Sequence, residues 1–256
     1  MNEATHFVDY QIEDGLATIT LSRPPLNVLH IPMLQALEAA LIELAADHSV
    51  RVLMLTADGK MFSAGVDIAD HTPEKVGDMI PLFDRVCVQL AQFPVPTIAV
   101  VQGHALGGGC ELVLCCDLAV LAEDAKIGQP EIQLAAFAPI AALRLRQLVG
   151  YRAAAEIMFT GENLSAQVAL AMGLVNAVVS ADEVAAWAQE KADKITRLSR
   201  AAQILNKQAL RLGFDPWEKQ LPSIEETYLT ELMHTADALE GLAAFQEKRT
   251  PQWKHT

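Results

Sequence analysis

The sequence predicts an α/β protein built on a largely parallel sheet and closed by a helical C-terminal region. Strand-like runs alternate with helix-length amphipathic stretches up to about residue 138. Connections of that length join parallel neighbours rather than hairpins. After that point apolar residues recur mainly at helical spacing through Phe245, which predicts helices on the far side of a soft boundary near residue 197.

Residues 6–12 and 16–21 are two β-prone runs joined by Asp14-Gly15, a dipeptide that favours a tight hairpin turn. From Pro32 to Asp47, Met33, Leu34, Leu37, Leu41 and Leu44 fall at helical spacing, and Arg51 to Thr56 then reads as a buried strand. Asp58-Gly59 opens a loop through KMFSAGVDIADHTP, followed by a helix from about Glu74 to Gln92 and a strand over Thr97 to Gln102. The glycine cluster GHALGGG, an apolar helix CELVLCC and a strand-like DLAVLA come next, ahead of Gly128-Gln129-Pro130-Glu131. Beyond 138 the β signal thins to Leu174 through Val179, and Pro216 and Pro222 are expected to break the helices. The division is 1–197 as the core and 198–256 as the helical region.

A net charge of -13 repels phosphate backbones and anionic lipid, so nucleic acid and membrane surfaces are poor partners. The N-terminus lacks a signal peptide's basic-then-apolar pattern, and no run reaches the length of a membrane span. Cys87, Cys110, Cys115 and Cys116 show no C-x-x-C spacing and read as reduced core thiols of a cytoplasmic protein. The seven histidines show no H-E-x-x-H spacing, so no metal is expected; His71 and His104 read as hydrogen-bonded loop residues.

Two loops carry candidate chemistry. Gly103 to Glu111 ends a strand and starts a helix, where consecutive glycines let a ligand approach backbone N–H groups. A tight turn with close packing is the alternative. Phe62 to Ile68 follows another strand, and the two loops together could hold one oxygen from two directions. Glu111 starts an otherwise apolar helix, where desolvation raises a carboxyl toward the range useful for acid-base work, although a helix-dipole role is the plainer alternative. Glu131 follows Pro130 in a loop and could be a plain surface carboxylate.

F-S-A-G-x-D-I, then G-x-A-x-G-G-G-x-E-L, then G-Q-P-E, in this order, resemble the enoyl-CoA hydratase (crotonase) family from the opening hairpin to AFQEKRTPQW. The resemblance implies a spiral of repeated β-β-α units with a C-terminal helical trimerisation region, assembled as a homotrimer or homohexamer. The substrate it implies is an acyl-CoA thioester, with CoA part of the substrate and no separate cofactor. Backbone N–H groups of Val66 and Gly108 would hold the thioester oxygen, and Glu111 and Glu131 would act as base and acid. CoA would be met by Asn27, Val28, Ala64, Asp67 and Ile68, with Trp253 as the C-terminal aromatic and Lys248, Arg249 or Arg23 facing phosphates.

The sequence departs from linear-chain hydratases after Glu131, where IQLAAFAPIAALRL replaces a glycine-rich stretch. Phe137, Ile140 and Leu143 could then shape a rebuilt apolar pocket. DIADHTPEKVGDMI resembles the cyclohexa-1,5-diene-1-carbonyl-CoA hydratases of anaerobic aromatic degradation, which implies water addition to a cyclic dienoyl-CoA. A double-bond isomerase needs only one shuttling carboxylate, so the two glutamates favour a hydratase; an ordinary short-chain hydratase is the other alternative. From other classes, GHALGGGCE could be a dinucleotide turn with an acidic residue about twenty positions on, or the chain could be a noncatalytic assembly protein.

Overall fold

The computed structural model describes residues 7–72, 74–212 and 217–255. Two strands, β1 (Val8–Glu13) and β2 (Leu16–Leu21), form the expected hairpin, with Asp14 (φ 50°) and Gly15 (φ 87°) both left-handed. That is the pairing of backbone angles whose twist matches the flanking strands. His6 and Pro216 lie outside the described residues.

Helix α1 (Ile31–Ala46) leads to β3 (Val52–Ala57), and α2 (Val76–Ala91) leads to β4 (Thr97–Val101). The short β5 (Ala105–Leu106) precedes α3 (Gly108–Cys115), β6 (Leu118–Ala122) and β7 (Lys126–Gly128). Helices α4 (Pro139–Val149) and α5 (Tyr151–Thr160), strand β8 (Leu164–Ser165), α6 (Ala166–Ala171) and β9 (Ala177–Val179) follow. Helices α7 (Val184–Thr196), α8 (Arg200–Arg211), α9 (Trp217–Glu226) and α10 (Ala236–Gln246) complete the chain.

The main sheet has the order β1-β2-β3-β4-β6-β9, parallel throughout except for the β1–β2 hairpin. Every residue of β4 is buried, as expected of a central parallel strand covered on both faces. A second sheet, β5-β7-β8, pairs strands of only two or three residues. It places the turn before α3 beside the segment that carries Glu131, because Gly107 N–H donates to the Gly128 carbonyl at 2.9 Å.

The C-terminal helices are tied to the sheet by polar contacts. Lys207 on α8 is buried, donates to the Val95 carbonyl at 3.0 Å and pairs with Asp117 at 2.6 Å. Arg200 donates to the Val50 carbonyl at 2.8 Å. Pro222 does not break a helix as expected; it lies inside α9, where packing on α2 and α4 around buried Leu221 overrides the local preference.

Candidate active site

The site begins with the chain after β3. Ser63 Oγ donates to the Asn27 carbonyl at 2.8 Å and accepts from Gly65 N–H at 3.1 Å. The Asn27 side chain is fully buried and braces the same region, its amide donating to the Asp58 and Met61 carbonyls at 2.7 and 2.8 Å. Leu29 N–H donates to the Gly65 carbonyl and Asp67 N–H to the Leu29 carbonyl, both at 2.9 Å. Between those bonds, Val66 N–H has no protein acceptor among the described residues.

Across from it stands the turn into α3. Each of its three glycines accommodates a different neighbour. A Cβ on Gly109 would lie 2.7 Å from Ser63, and one on Gly108 would lie 2.7 Å from Val66 Cγ2. A Cβ on Gly107 would overlap Glu131 Oε1, and Gly107 adopts φ 53°, ψ -128°, which glycine alone holds without strain. These approaches explain the cluster without a dinucleotide. Gly108 N–H, in the first turn of α3, also has no protein acceptor among the described residues.

Both glutamates reach one cavity of about 450 Å³, walled mostly by apolar side chains. Glu111 is 2% exposed, and its Oε1 accepts from Ala141 N–H at 3.0 Å. Burial, then the charge of Glu131, pushes its carboxyl well above the usual carboxylate range, against the pull of the Ala141 and Ile140 N–H groups. Burial likewise raises Glu131. With its amide N–H₂ turned toward the carboxylate, buried Gln129 donates to both Glu131 oxygens, at 3.0 and 3.3 Å. An amide offers both donor and acceptor, so it suits Glu131 with or without a proton.

Of the other residues singled out from sequence, Val28, Ala64, Val66, Asp67, Ile68 and Phe137 line the cavity. Ile140 and Leu143 do not; both are fully buried in the core because α4 turns those positions inward. Nor does Trp253, which lies beyond α10 on the surface, while Phe245 of α10 takes a place in the wall. Asn27 acts through its loop rather than facing the cavity. Two arginines expected to meet phosphates are already paired, Arg23 with Asp67 at 3.1 Å and Arg249 with Glu247 at 2.6 Å and with Glu240.

His71 lines the cavity as well as being hydrogen-bonded, its Nδ1 lying 3.2 Å from the Asp67 carbonyl. A carbonyl only accepts, so Nδ1 carries the proton, and burial lowers the pKa of the ring. Tyr228 is a wall residue that the sequence did not single out. Asp84 on α2, behind the cavity wall, was also missed; burial, then the charge of Glu111, raises its carboxyl well above the usual range. Its place at i+4 from Ile80 and i-3 from Cys87, inside an apolar stripe, is the signal that could have found it.

Cys110 is buried beside Glu111, and burial drives its thiol well above the usual range, as suits a core thiol. Among the described residues no group of three or more His, Cys, Asp or Glu is placed to hold a metal ion, and no helix is long and apolar enough to cross a membrane.

The profile of the Enoyl-CoA hydratase/isomerase family matches residues 11–256. The chain belongs to that family. It is similar to the cyclohexa-1,5-dienecarbonyl-CoA hydratase of Thauera aromatica, with 34% identity covering 100% of both chains. It is also 34% identical to the human mitochondrial enoyl-CoA hydratase domain-containing protein 3, over 94% of this chain and 82% of that one. The crystal structure of an enoyl-CoA hydratase from Mycobacterium avium subsp. paratuberculosis K-10 superposes with a TM-score of 0.88 at 28% identity, covering 97% of this chain and 98% of that one. The fold is therefore the crotonase fold, and the chain is an enzyme of the hydratase type.

Proposed function

We propose that this enzyme adds water across a double bond conjugated to a CoA thioester, with Val66 and Gly108 N–H groups holding the thioester oxygen and Glu111 and Glu131 moving the protons. The observation that carries this is the convergence of buried Glu111 and half-buried Glu131, with two unpaired N–H groups nearby, on one largely apolar cavity. Polarising the carbonyl makes the β-carbon electrophilic and lets charge gather on oxygen as an enolate. In this reading Glu111 takes a proton from water and Glu131 delivers one to carbon.

Two like charges in one desolvated site repel, so near neutral pH the pair holds one proton between them and supplies both a base and an acid. A bell-shaped dependence of kcat/KM on pH follows. Because both carboxyls are raised, activity is lost on acidification well above the ordinary glutamate value of about 4.3, as the base becomes protonated. A pH–rate profile measures this; a rate that holds constant down to that value would remove the raised base.

The substrate we infer is cyclohexa-1,5-diene-1-carbonyl-CoA, which places the enzyme in anaerobic aromatic degradation. Support comes from the similarity to the Thauera aromatica enzyme and from Phe137, which stands in the cavity wall where linear-chain hydratases carry a glycine-rich stretch. Hydroxide would add to the β-carbon and the proton to the vinylogous carbon. Rates on this thioester and on crotonyl-CoA, read by absorbance and product mass, test it. Preference for the cyclic diene is expected; preference for crotonyl-CoA would make this an ordinary short-chain hydratase.

We further propose that 198–256 serves assembly into a homotrimer or homohexamer around the 1–197 core. Exposed Leu205, Leu210 and Leu212 support this. A reducing cytoplasm suits four buried, free cysteines.

A further inference from the structure

Tyr228 sits on a π-helical turn, Thr227–Glu231, between α9 and the last helix. Such turns are uncommon and gather at functional sites. Its side chain is 1% exposed yet lines the cavity shared by Glu111 and Glu131, and its hydroxyl has no hydrogen-bond partner among the described residues. Phe137 fixes the ring edge-on, with centroids 5.2 Å apart. A hydroxyl that opens on the cavity and has no protein partner is free to donate to whatever the cavity holds.

Burial, then the charges of Glu131, Glu111 and Asp84, raises the phenol, so it remains a donor at neutral pH. What it can donate to is limited by the substrate. A hydrocarbon acyl thioester brings one carbonyl oxygen, which the Val66 and Gly108 N–H groups take. The remaining oxygen near the carboxyls is that of the water being added, or of the β-hydroxyl being removed.

We propose that Tyr228 is a catalytic residue that donates a hydrogen bond from its hydroxyl to this reacting oxygen. The inference rests on the hydratase function proposed above. In hydration, a water O–H bond breaks and its proton passes to the Glu111 carboxylate while the water oxygen bonds to the β-carbon. The π pair moves to the thioester oxygen. As the enolate collapses, a new C–H bond takes the proton of Glu131, and the proton on Glu111 returns to Glu131 to reset the pair. Tyr228 keeps its own proton throughout. Read backward, its hydrogen bond stabilises the charge growing on the departing oxygen.

Tyr228→Phe removes one oxygen and leaves the ring contact with Phe137 intact. Hydration of crotonyl-CoA or the cyclic diene should lose about 10- to 100-fold in kcat, the range for one hydrogen bond to a charge-bearing oxygen, with KM within about twofold. Deuterium exchange at the α-carbon of butyryl-CoA provides the control, since it needs a base and the carbonyl-binding N–H groups but no added oxygen. That rate should be unchanged. Equal losses in both reactions would assign Tyr228 to positioning Glu131 or to the fold, and unchanged hydration would remove it from the reaction; either overturns the proposal. A wild-type enzyme that exchanges butyryl-CoA protons but hydrates neither substrate would instead overturn the hydratase function.

Discussion

Glu111→Gln is expected to lower kcat for hydration by about 10²- to 10⁴-fold, the usual contribution of one positioned acid or base. Glutamine keeps the shape and can still accept from Ala141 N–H, so the loss would come from the missing charge. Glu131→Gln should cost a similar factor. The double variant should cost little more than either single one, because the two carboxyls act as a unit. Stability should move the other way. A carboxyl raised by burial binds its proton more tightly in the folded state, so between its unfolded and folded pKa the wild type loses stability as pH rises. Glu111→Gln should therefore melt above wild type near pH ~8, with the gap narrowing toward pH ~5. Parallel kinetics in stopped or steady-state assays and melting curves at the two pH values check both halves.

Gly107→Ala should have the next largest effect. Alanine at φ 53°, ψ -128° carries backbone strain of about 1–3 kcal/mol. The added methyl also overlaps Glu131 Oε1, so the carboxyl must leave its place against the Gln129 amide. A displacement near 1 Å can cost about 100-fold in rate, and a loss of at least that size is expected. Since both changes act through one carboxyl, adding Gly107→Ala to Glu131→Gln should lower the rate little further. Additive losses would mean that Gly107 matters for something other than Glu131.

Legibility in the sequence followed the range of the interactions. The hairpin through Asp14-Gly15, the strands on either side of α1 and the helix of buried Ile80, Phe83 and Cys87 are written in local turn chemistry and periodicity, and the structure has them within a residue or two. The second sheet was not readable, because β5 and β8 are two residues each and exist only through pairing with β7. The glycine cluster was visible as a place of close approach, yet what approaches each glycine depends on Ser63, Val66 and Glu131, brought in from elsewhere in the chain. Ile140 was misplaced for the same reason, since an apolar residue near Glu131 can face either the cavity or the core. Tyr228 lies about a hundred residues from the glutamates in a segment whose helical periodicity shifts at a π turn, so no local pattern pointed to it.

The most direct measurement is the mass of the product formed from crotonyl-CoA in water enriched in ¹⁸O by wild type and by Glu111→Gln. The expected wild-type product is heavier than substrate by one labelled water, with the label on the β-carbon, and the variant should form it far more slowly. A product of unchanged mass, with the double bond moved, would contradict hydration and assign the two carboxyls to proton shuttling alone.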